Sequence, residues 1–197
     1  VGRNGRGKTT LLRLLLGQYD FRGNISCPAE CTYFPVEVRG HGLTALEAAL
    51  QAAPQLEQWR LERALGELRL DSAVLERSWE TLSSGERTKV LLAALFQQDG
   101  GFPLIDEPTN HLDLSSQIEL MQQLQLYGSQ PNRQVIGVFH DLTLAPMLGG
   151  QSIFMREGQI LRQGAFSDIA SPSFLQQVYG VDVRAHLAKA LDALPKA

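Results

Sequence analysis

The stretch GRNGRGKT, residues 2–9, decides the fold class of this chain. It fits the pattern G-x-x-x-x-G-K-[S/T], in which glycines let the backbone curl so that successive N–H groups point at phosphate oxygens. An apolar helix follows directly, and its positive N-terminal end favours an anion at the same place. The sequence therefore predicts a phosphate-binding loop between a strand and a helix. The residues predicted to contact phosphate are Gly2, Asn4, Gly5, Gly7, Lys8, Thr9 and Thr10.

Two side chains of this loop have predicted roles. Lys8 would reach the β- and γ-phosphates, and the Thr9 hydroxyl would coordinate Mg²⁺. A glycine-rich turn can match the pattern by chance, so the surrounding segments must support it. Only Val1 remains of the strand that should precede the loop, and the chain begins with Val rather than Met. We therefore expect the N-terminus to be truncated.

Polar residues follow two apolar runs that read as buried strands. Asp106 and Glu107 come after Phe102–Ile105, and a strand end in an open α/β sheet faces the ligand crevice. Asp106 is predicted to hold Mg²⁺, and Glu107 to polarise the attacking water. His140 follows Val135–Phe139, a run without alternation that predicts a strand covered on both faces. His140 could hydrogen-bond the γ-phosphate, although a lone histidine at a strand end is more often structural.

A second glycine-containing segment lies upstream of the acidic pair. Residues 82–86 read LSSGE, in which Ser83 and Glu86 match a capping box. As an isolated pentapeptide it would indicate an ordinary capped helix. It is followed, however, by DEPTNHLD at residues 106–113. Together with the glycine loop and His140, these segments resemble the motifs of the ATP-binding-cassette (ABC) ATPases in their family order, over nearly the whole chain. Residues 82–86 resemble the family's signature, residues 106–113 its acidic pair and D-loop, and His140 its switch histidine.

The resemblance implies a fold, cofactors and a mode of assembly. The implied fold is α/β, a P-loop NTPase of ABC type with a mostly parallel sheet flanked by helices, an inserted helical subdomain and missing N-terminal strands. ATP and Mg²⁺ are the implied cofactors. A second cassette is the implied partner, and each signature would face the γ-phosphate of the ATP that the opposite cassette holds. The implied contacts in trans are Ser83, Ser84, Gly85 and Glu86, with Asp113 as the D-loop aspartate.

Turn and cap signals divide the chain into four predicted parts. Residues 1–39 would form the P-loop part of the ATP-binding core, and residues 40–81, with a capping box at Thr44, an all-helical subdomain. Residues 82–165 would carry the signature helix, the acidic pair and the switch, with a hairpin turn at Glu157-Gly158. Residues 166–197 would form two C-terminal helices. Predicted helix ends are Gly17, Gly100–Gly101, Gly128 and Gly180, and the predicted apolar face of the second subdomain helix comprises Trp59, Leu61, Leu65 and Leu68.

Three positions depart from the family pattern. Val36 stands where the family usually has a Gln that touches Mg²⁺ and water, and a valine side chain can do neither. The substitution predicts weaker coupling between the catalytic site and the helical subdomain, with Glu37 a poor substitute. Ser84 replaces a glycine, and Glu86 replaces the usual Gln.

Two branches of the family compete. The segment 107–113 and Tyr33-Phe34-Pro35 look like ABC-F proteins, which are soluble tandem cassettes acting on ribosomes. Residues 139–145 and 171–181 look instead like the ATPase subunits of metal-chelate and cobalamin importers, whose partner is a membrane permease. We favour the ABC-F branch, because loss of the Gln would weaken transport coupling most. A third hypothesis, motivated by Val36 and Ser84, is a scaffold cassette that binds ATP with little turnover.

Composition limits the remaining classes. The formal net charge is −3, so no global basic excess suggests nucleic-acid or membrane-surface binding. No apolar run is long enough to span a bilayer, and nothing resembles a signal peptide. Cys27 and Cys31 have no further Cys or His close in sequence, which predicts reduced thiols rather than a metal site. We expect a cytoplasmic protein without direct membrane insertion.

Overall fold

The computed structural model describes residues 7–27, 30–98, 102–110 and 112–193. The chain divides into two compact units. Of the described residues, one unit contains those between Thr9 and Phe139, and the other contains those from His140 onward together with Gly7 and Lys8.

The larger unit is built on a parallel sheet of three strands, in the order β1-β2-β3. The strands are β1 at Cys31–Phe34, β2 at Phe102–Asp106 and β3 at Ile136–Val138. Parallel neighbours require long crossover connections, and helices supply them here. Because all three strands run the same way, their carboxyl ends meet at one edge of the sheet. This arrangement confirms the predicted α/β class.

Among the described residues of this unit, one helix precedes β1, and four helices and two short 3₁₀ turns lie in the connections between the strands. The helices are α1 at Lys8–Leu15, α2 at Ala45–Ala52, α3 at Gln58–Glu67, α4 at Ser84–Phe96 and α5 at Leu114–Ser129. The 3₁₀ turns span Ser72–Glu76 and Trp79–Thr81. The segment between β1 and α4 contains no strand among these described elements.

Apolar side chains attach α1 to the sheet. Leu12 of α1 packs against Leu104 of β2 and Val138 of β3, and all three are buried. Burial of such side chains stabilises a fold by about 1.5–3 kcal/mol each. The helix that follows the glycine loop is therefore held on the same sheet that carries the acidic pair.

The helical block, residues 40–81, packs on α4. Its α2 begins with the predicted capping box, in which the Thr44 hydroxyl accepts from Glu47 N and the Glu47 carboxylate accepts from Thr44 N. In α3, Leu61 and Leu65 are fully buried, but Trp59 is 59% exposed, so its assignment to the apolar face was wrong. Trp59 lies two residues before Leu61, which places it on the opposite side of a helix with 3.6 residues per turn.

Several boundaries differ from the sequence prediction. Helix α4 ends at Phe96, before the expected glycine pair. Helix α5 continues through Gly128 to Ser129, since an internal glycine is tolerated and the stop comes from Pro131, which keeps Gln130 extended with ψ 146°. Strand β3 is also shorter than predicted, and Ile136 at its start is 37% exposed rather than covered on both faces.

The smaller unit combines a hairpin with short helices. Strands β4 at Gln151–Arg156 and β5 at Gln159–Ala165 pair antiparallel. The predicted turn is present, with φ +54° at Glu157 and +75° at Gly158, as a two-residue hairpin turn requires.

Three helices follow the hairpin: α6 at Phe166–Ile169, α7 at Pro172–Tyr179 and α8 at Val183–Asp192. Helix α6 was not predicted, because four residues are too few for a periodic pattern. Helix α7 begins and ends as predicted, with the Ser171 hydroxyl accepting from Phe174 N and Gly180 at φ +74°. Phe154, Phe174 and Val178 form the buried core of this unit.

Within the described ranges, no helix is both long and apolar enough to cross a membrane.

Candidate functional site

The glycine loop is described from Gly7 onward, so the predicted contacts at Gly2, Asn4 and Gly5 lie outside the described residues. Gly7 has φ +89°, a conformation that side chains other than glycine rarely adopt. Lys8 opens α1 and is only 6% exposed. Thr9 is half-buried and Thr10 is exposed. Lys8 is thus largely buried in the first turn of α1, at a helix N-terminus where an anion is favoured, and its predicted contact with phosphate stays a prediction.

Asp106 is the last residue of β2, and its two oxygens have different surroundings. Oδ2 accepts a hydrogen bond of 2.9 Å from the Tyr33 hydroxyl. Burial raises the pKa of Tyr33 to about 12, and the hydrogen bond to Asp106 adds to this effect. Tyr33 is therefore a protonated donor at neutral pH. Its position follows from the register of the sheet, which sets Tyr33 of β1 opposite Leu104 of β2.

Oδ1 of Asp106 is buried and has no hydrogen-bond partner among the described residues. A buried carboxylate oxygen without a partner is costly, and such atoms commonly mark the site of an ion or an ordered water. Oxygen is also the ligand type that Mg²⁺ prefers. Asp106 therefore fits the cation predicted for this position.

Glu107 follows β2 in an unusual backbone conformation. Its φ of +52° lies in the left-handed region, which costs a residue other than glycine roughly 1–3 kcal/mol. Glu107 N donates to Val138 O at 3.1 Å, which ties the residue to β3. The Asn110 side-chain amide donates to Glu107 Oε2 at 2.6 Å. The carboxylate is thus held at the carboxyl edge of the sheet, beyond Asp106.

His140 and Lys8 belong to the smaller unit, whereas Thr9, Asp106 and Glu107 belong to the larger one. His140 is half-buried and comes directly after Phe139. Its predicted hydrogen bond to the γ-phosphate, and its predicted action on Glu107 and the water, stay predictions.

Ser83 and Glu86 form the predicted capping box at the start of α4. Ser83 Oγ accepts from Glu86 N at 3.2 Å, and Glu86 Oε2 accepts from Ser83 N at 2.7 Å. Ser83 and Ser84 are exposed, and Gly85 and Glu86 are half-buried. The hydrogen bond from Ser83 N, with the guanidinium of Arg77, lowers the pKa of Glu86. The helix start is therefore accessible and carries an ionised carboxylate.

Asp113 is exposed and caps α5. Its carboxylate accepts from Ser116 N at 2.9 Å and from Ser116 Oγ at 3.1 Å. These hydrogen bonds lower the pKa of Asp113. The role across an interface that the resemblance implies stays a prediction, and the cap is an additional role visible within one chain.

Val36, in the segment that follows β1, lines a cavity of about 360 Å³. Trp79 and Ser84 line the same cavity. Glu37, the possible substitute for the missing Gln, is exposed and pairs with Arg39 at 2.8 Å. The cavity therefore receives a hydrocarbon side chain at the position where the family usually has an amide.

Three residues that contact the candidate site were missed in the sequence: Tyr33 on Asp106, Asn110 on Glu107, and Arg77 on Glu86. Only Asn110 had a sequence signal, because a polar residue three positions after Glu107 can reach back in a turn. The Tyr33–Asp106 contact joins two strands that lie far apart in the chain. The Arg77–Glu86 contact spans nine residues across a 3₁₀ helix, and no capping or periodic pattern indicates it.

Comparison with known proteins places the chain in a family. The sequence model of the ABC transporter family matches residues 1–110. An ABC transporter ATP-binding protein of Methanocaldococcus jannaschii is 30% identical over 92% of this chain and 80% of its own length. This chain belongs to the ABC transporter family. As an ABC ATPase domain it is an ATP hydrolase of the P-loop type.

Other relatives are described by what they import. The ferric enterobactin transport ATP-binding protein of Escherichia coli is 30% identical, over 92% of the ABC ATPase domain and 76% of that protein. The hemin import ATP-binding protein of Roseobacter denitrificans is 31% identical over 93% of this chain and 80% of its own length. A transporter described as of metal-chelate type, in an inward-facing conformation, superposes with a TM-score of 0.81 at 23% identity, over 92% of this chain and 77% of that chain. The superposition confirms the ABC fold.

These comparisons correct the choice of branch. One of the three relatives carries only the family description, and the other two are described as a transport and an import ATP-binding protein, so they give the ABC-F branch and its ribosome partner no support. The importer alternative is the better supported of the two.

Proposed function

We propose that this ABC ATPase domain is the ATP-binding subunit of an importer for iron chelates or hemin. Support comes from relatives of that description, which align over more than nine-tenths of the chain at 30% and 31% identity. The single structural observation that carries hydrolysis is the pair Asp106–Glu107 at the carboxyl edge of the sheet, with a buried, unsatisfied oxygen on Asp106.

In the proposed site, the chain's own residues divide the work of phosphoryl transfer. Lys8 and the N-terminal end of α1 bind the phosphates, and Thr9 and Asp106 would hold Mg²⁺. When bound, Mg²⁺ supplies charge neutralisation to the phosphate oxygens. Tyr33 keeps the carboxylate of Asp106 oriented through the 2.9 Å hydrogen bond. Positioning and charge then lower the barrier, with little covalent work by the protein.

Glu107 is proposed as the residue that orients and activates the attacking water. Its backbone hydrogen bond to β3 and its contact with Asn110 restrict where the carboxylate can lie. His140 is proposed to act on the same water and the γ-phosphate. A preorganised base of this kind typically contributes about 10²–10⁴-fold to a rate.

The signature is proposed to act in trans. Ser83 and Ser84 are exposed at the start of α4, where a helix N-terminus can receive an anion from another molecule. Two cassettes would then enclose two ATP molecules, and Asp113 would contact the partner cassette. Hydrolysis would let the dimer open, and this change is the output that a transporter can use.

The permease is proposed to contact the helical block, residues 40–81, near the cavity that Val36 and Trp79 line. The cavity joins the segment after β1 to the signature helix, so a partner seated there would touch both. Co-purification of the full-length protein with a membrane permease tests this part of the proposal. Co-sedimentation with ribosomes and no permease would contradict it.

Hydrolysis is tested by Glu107→Gln in the full-length protein. Phosphate release should fall by about 10²–10⁴-fold, while an ATP-dependent dimer persists, because binding does not need the base. Glu67→Gln is the matched control, since Glu67 is an exposed carboxylate on α3 paired with Arg63 at 3.5 Å, and it should leave the rate unchanged. Equal phosphate release by wild type and Glu107→Gln would remove the hydrolytic role. Negligible release by the wild type would favour the scaffold hypothesis, which Val36 and Ser84 motivate.

A further inference from the structure

The start of α4 is a helix N-terminus that can bind an anion, and it also carries a negatively charged side chain. Ser83 and Ser84 are exposed there, yet Glu86 in the same turn is an ionised carboxylate. Like charges at close range repel, and the repulsion is larger beside a protein than in bulk water. If the partner's triphosphate approaches this turn, the charge of Glu86 must be offset.

Arg77 is placed to offset it. Its Nη1 lies 2.6 Å from Glu86 Oε1, and its Nη2 donates to Thr81 O at 3.3 Å. The other oxygen of Glu86, Oε2, accepts from Ser83 N at 2.7 Å. Both oxygens of Glu86 are therefore engaged, one by the guanidinium and one by the helix cap.

The backbone of Arg77 is fixed independently of this contact. Arg77 N donates to Val74 O at 3.1 Å, and Arg77 O accepts from Ala45 N, the first residue of α2, at 2.9 Å. Arg87, the nearest basic residue along α4, donates instead to the carbonyls of Trp79 and Glu80. In the described contacts, the positive charge beside Glu86 is therefore that of Arg77, a residue of the helical block and not of α4.

We propose that Arg77 is a positioning residue for the phosphate site in trans: it neutralises Glu86 and holds that carboxylate on the cap of Ser83, so that α4 can receive the partner's ATP. The inference rests on the proposed function, because it assumes that the signature faces a second cassette. Arg77 touches neither the nucleotide nor the reacting atoms in this role. It acts through Glu86, and its importance depends on the charge of Glu86.

The test is a double-mutant cycle in the full-length protein carrying Glu107→Gln, which prevents loss of ATP during measurement. The variants are Arg77→Gln, Glu86→Gln and the two combined. Analytical ultracentrifugation with MgATP measures the dimer dissociation constant, and calorimetry measures MgATP binding to the monomer. Arg77→Gln should weaken dimerisation by about tenfold or more, as expected when one partner of a charged hydrogen bond is removed. In the Glu86→Gln background the same change should cost less than about twofold, since no charge remains to be offset.

Monomer binding of MgATP should be the same in all four proteins, because the glycine loop and the acidic pair that are proposed to bind it contain neither residue. Arg77→Lys should keep most of the dimerisation, since it preserves the charge. Arg63→Gln is the matched control, because it removes an exposed, ion-paired arginine from the same block and should change nothing. Thermal unfolding of each variant without nucleotide identifies any general loss of stability.

An equal loss from Arg77→Gln in both backgrounds would show a merely structural role and overturn the inference, as would no loss in either. If Arg77→Gln does not fold, equal dimerisation by Arg77→Lys and the parent supports the role of charge, and a tenfold loss in Arg77→Lys overturns it. Absence of MgATP binding by the parent would instead contradict the proposed function. A parent that binds MgATP but forms no ATP-dependent dimer would overturn this inference together with the proposed action in trans, while ATP binding by the single cassette would stand.

Discussion

The hydroxyl of Tyr33 determines what Asp106 can still bind. One oxygen of the carboxylate accepts from that hydroxyl, and the other is buried without a partner among the described residues. Because the pKa of Tyr33 is raised to about 12, the hydroxyl donates throughout the neutral range. The hydrogen bond therefore fixes the rotation of the carboxylate and leaves Oδ1 for a cation.

Tyr33→Phe should lower the affinity of the ATPase for Mg²⁺ by about 10–100-fold, as loss of a partner that orients a metal ligand commonly does. It should also lower the free energy of unfolding by about 1–3 kcal/mol, because Oδ2 loses its donor. The Mg²⁺ dependence of phosphate release and urea unfolding without metal measure the two effects. Tyr19→Phe serves as control, since the Tyr19 hydroxyl meets Arg13 on an exposed surface. An unchanged Mg²⁺ dependence in Tyr33→Phe would contradict this role.

At this scale the sequence predicted the residues that lie in motifs and missed those that act on them. Asp106 and Glu107 were recognisable because two carboxylates end an apolar run. Tyr33 was not, since its contact depends on the register of β1 against β2, which no short stretch of sequence specifies. The left-handed backbone of Glu107 was likewise invisible, because the chain around it determines that conformation.

Two helices in the chain begin with the same capping arrangement but differ in proposed function. The Thr44 and Ser83 hydroxyls each accept from a backbone N–H three residues later at 3.2 Å, and in both cases the glutamate at that position reaches back. Only the cap at Ser83 belongs to the proposed signature. Comparing substitutions at the two caps therefore distinguishes an effect on helix stability from an effect on nucleotide contact.

Thr44→Ala and Ser83→Ala should each lower the free energy of unfolding by about 1 kcal/mol, the usual cost of losing an N-cap. Only Ser83→Ala should also weaken ATP-dependent dimerisation. Chemical denaturation and sedimentation with MgATP measure the two properties in parallel. Equal dimerisation by both variants would argue against contact between Ser83 and the partner's nucleotide.

Helix starts were predicted better than helix ends. The caps at Thr44, Ser83 and Ser171 all form as the sequence indicated. The ends assigned to glycine were less reliable, because glycine only permits a stop, whereas a following proline enforces one. Gly128 therefore lies within α5, which continues to Ser129. Gly180 does end α7, because it adopts a left-handed conformation with φ +74°.

At the scale of the whole molecule, each unit has its own hydrophobic core. In the smaller unit, Phe154 is fully buried and meets Phe174 edge-to-face with ring centroids 5.2 Å apart. In the larger unit, Leu12, Leu104 and Val138 pack around the sheet. Separate cores allow the two units to lose stability separately.

Phe154→Ala should cost about 3–5 kcal/mol, because it leaves a cavity in a closely packed cluster. Hydrogen exchange measured by mass spectrometry should become faster in residues 151–179. Exchange in residues 102–138 should stay at the wild-type rate. A uniform increase over both regions would show that the molecule unfolds as one cooperative unit.

The family was predictable from the sequence, but the branch was not. The phosphate loop, the signature and the acidic pair are required by the same chemistry in every member, so they specify the family without the partner. Val36 was weighed as evidence for ABC-F, although a single hydrocarbon side chain in a cavity says little about the protein that contacts it. Partner choice depends on surface complementarity, which short motifs do not encode.

The left-handed backbone at Glu107 restricts which inactive forms of the protein are informative. Branched residues such as valine or isoleucine are poorly accommodated at φ +52°, so they would distort the turn as well as delete the carboxylate. If such a variant were inactive, the loss of activity could come from misfolding or from removal of the carboxylate. Apart from glycine, which removes the side chain altogether, asparagine tolerates this conformation best among the uncharged residues, and glutamine keeps the side-chain length. Genetic screens at this position should therefore be interpreted from those two alleles.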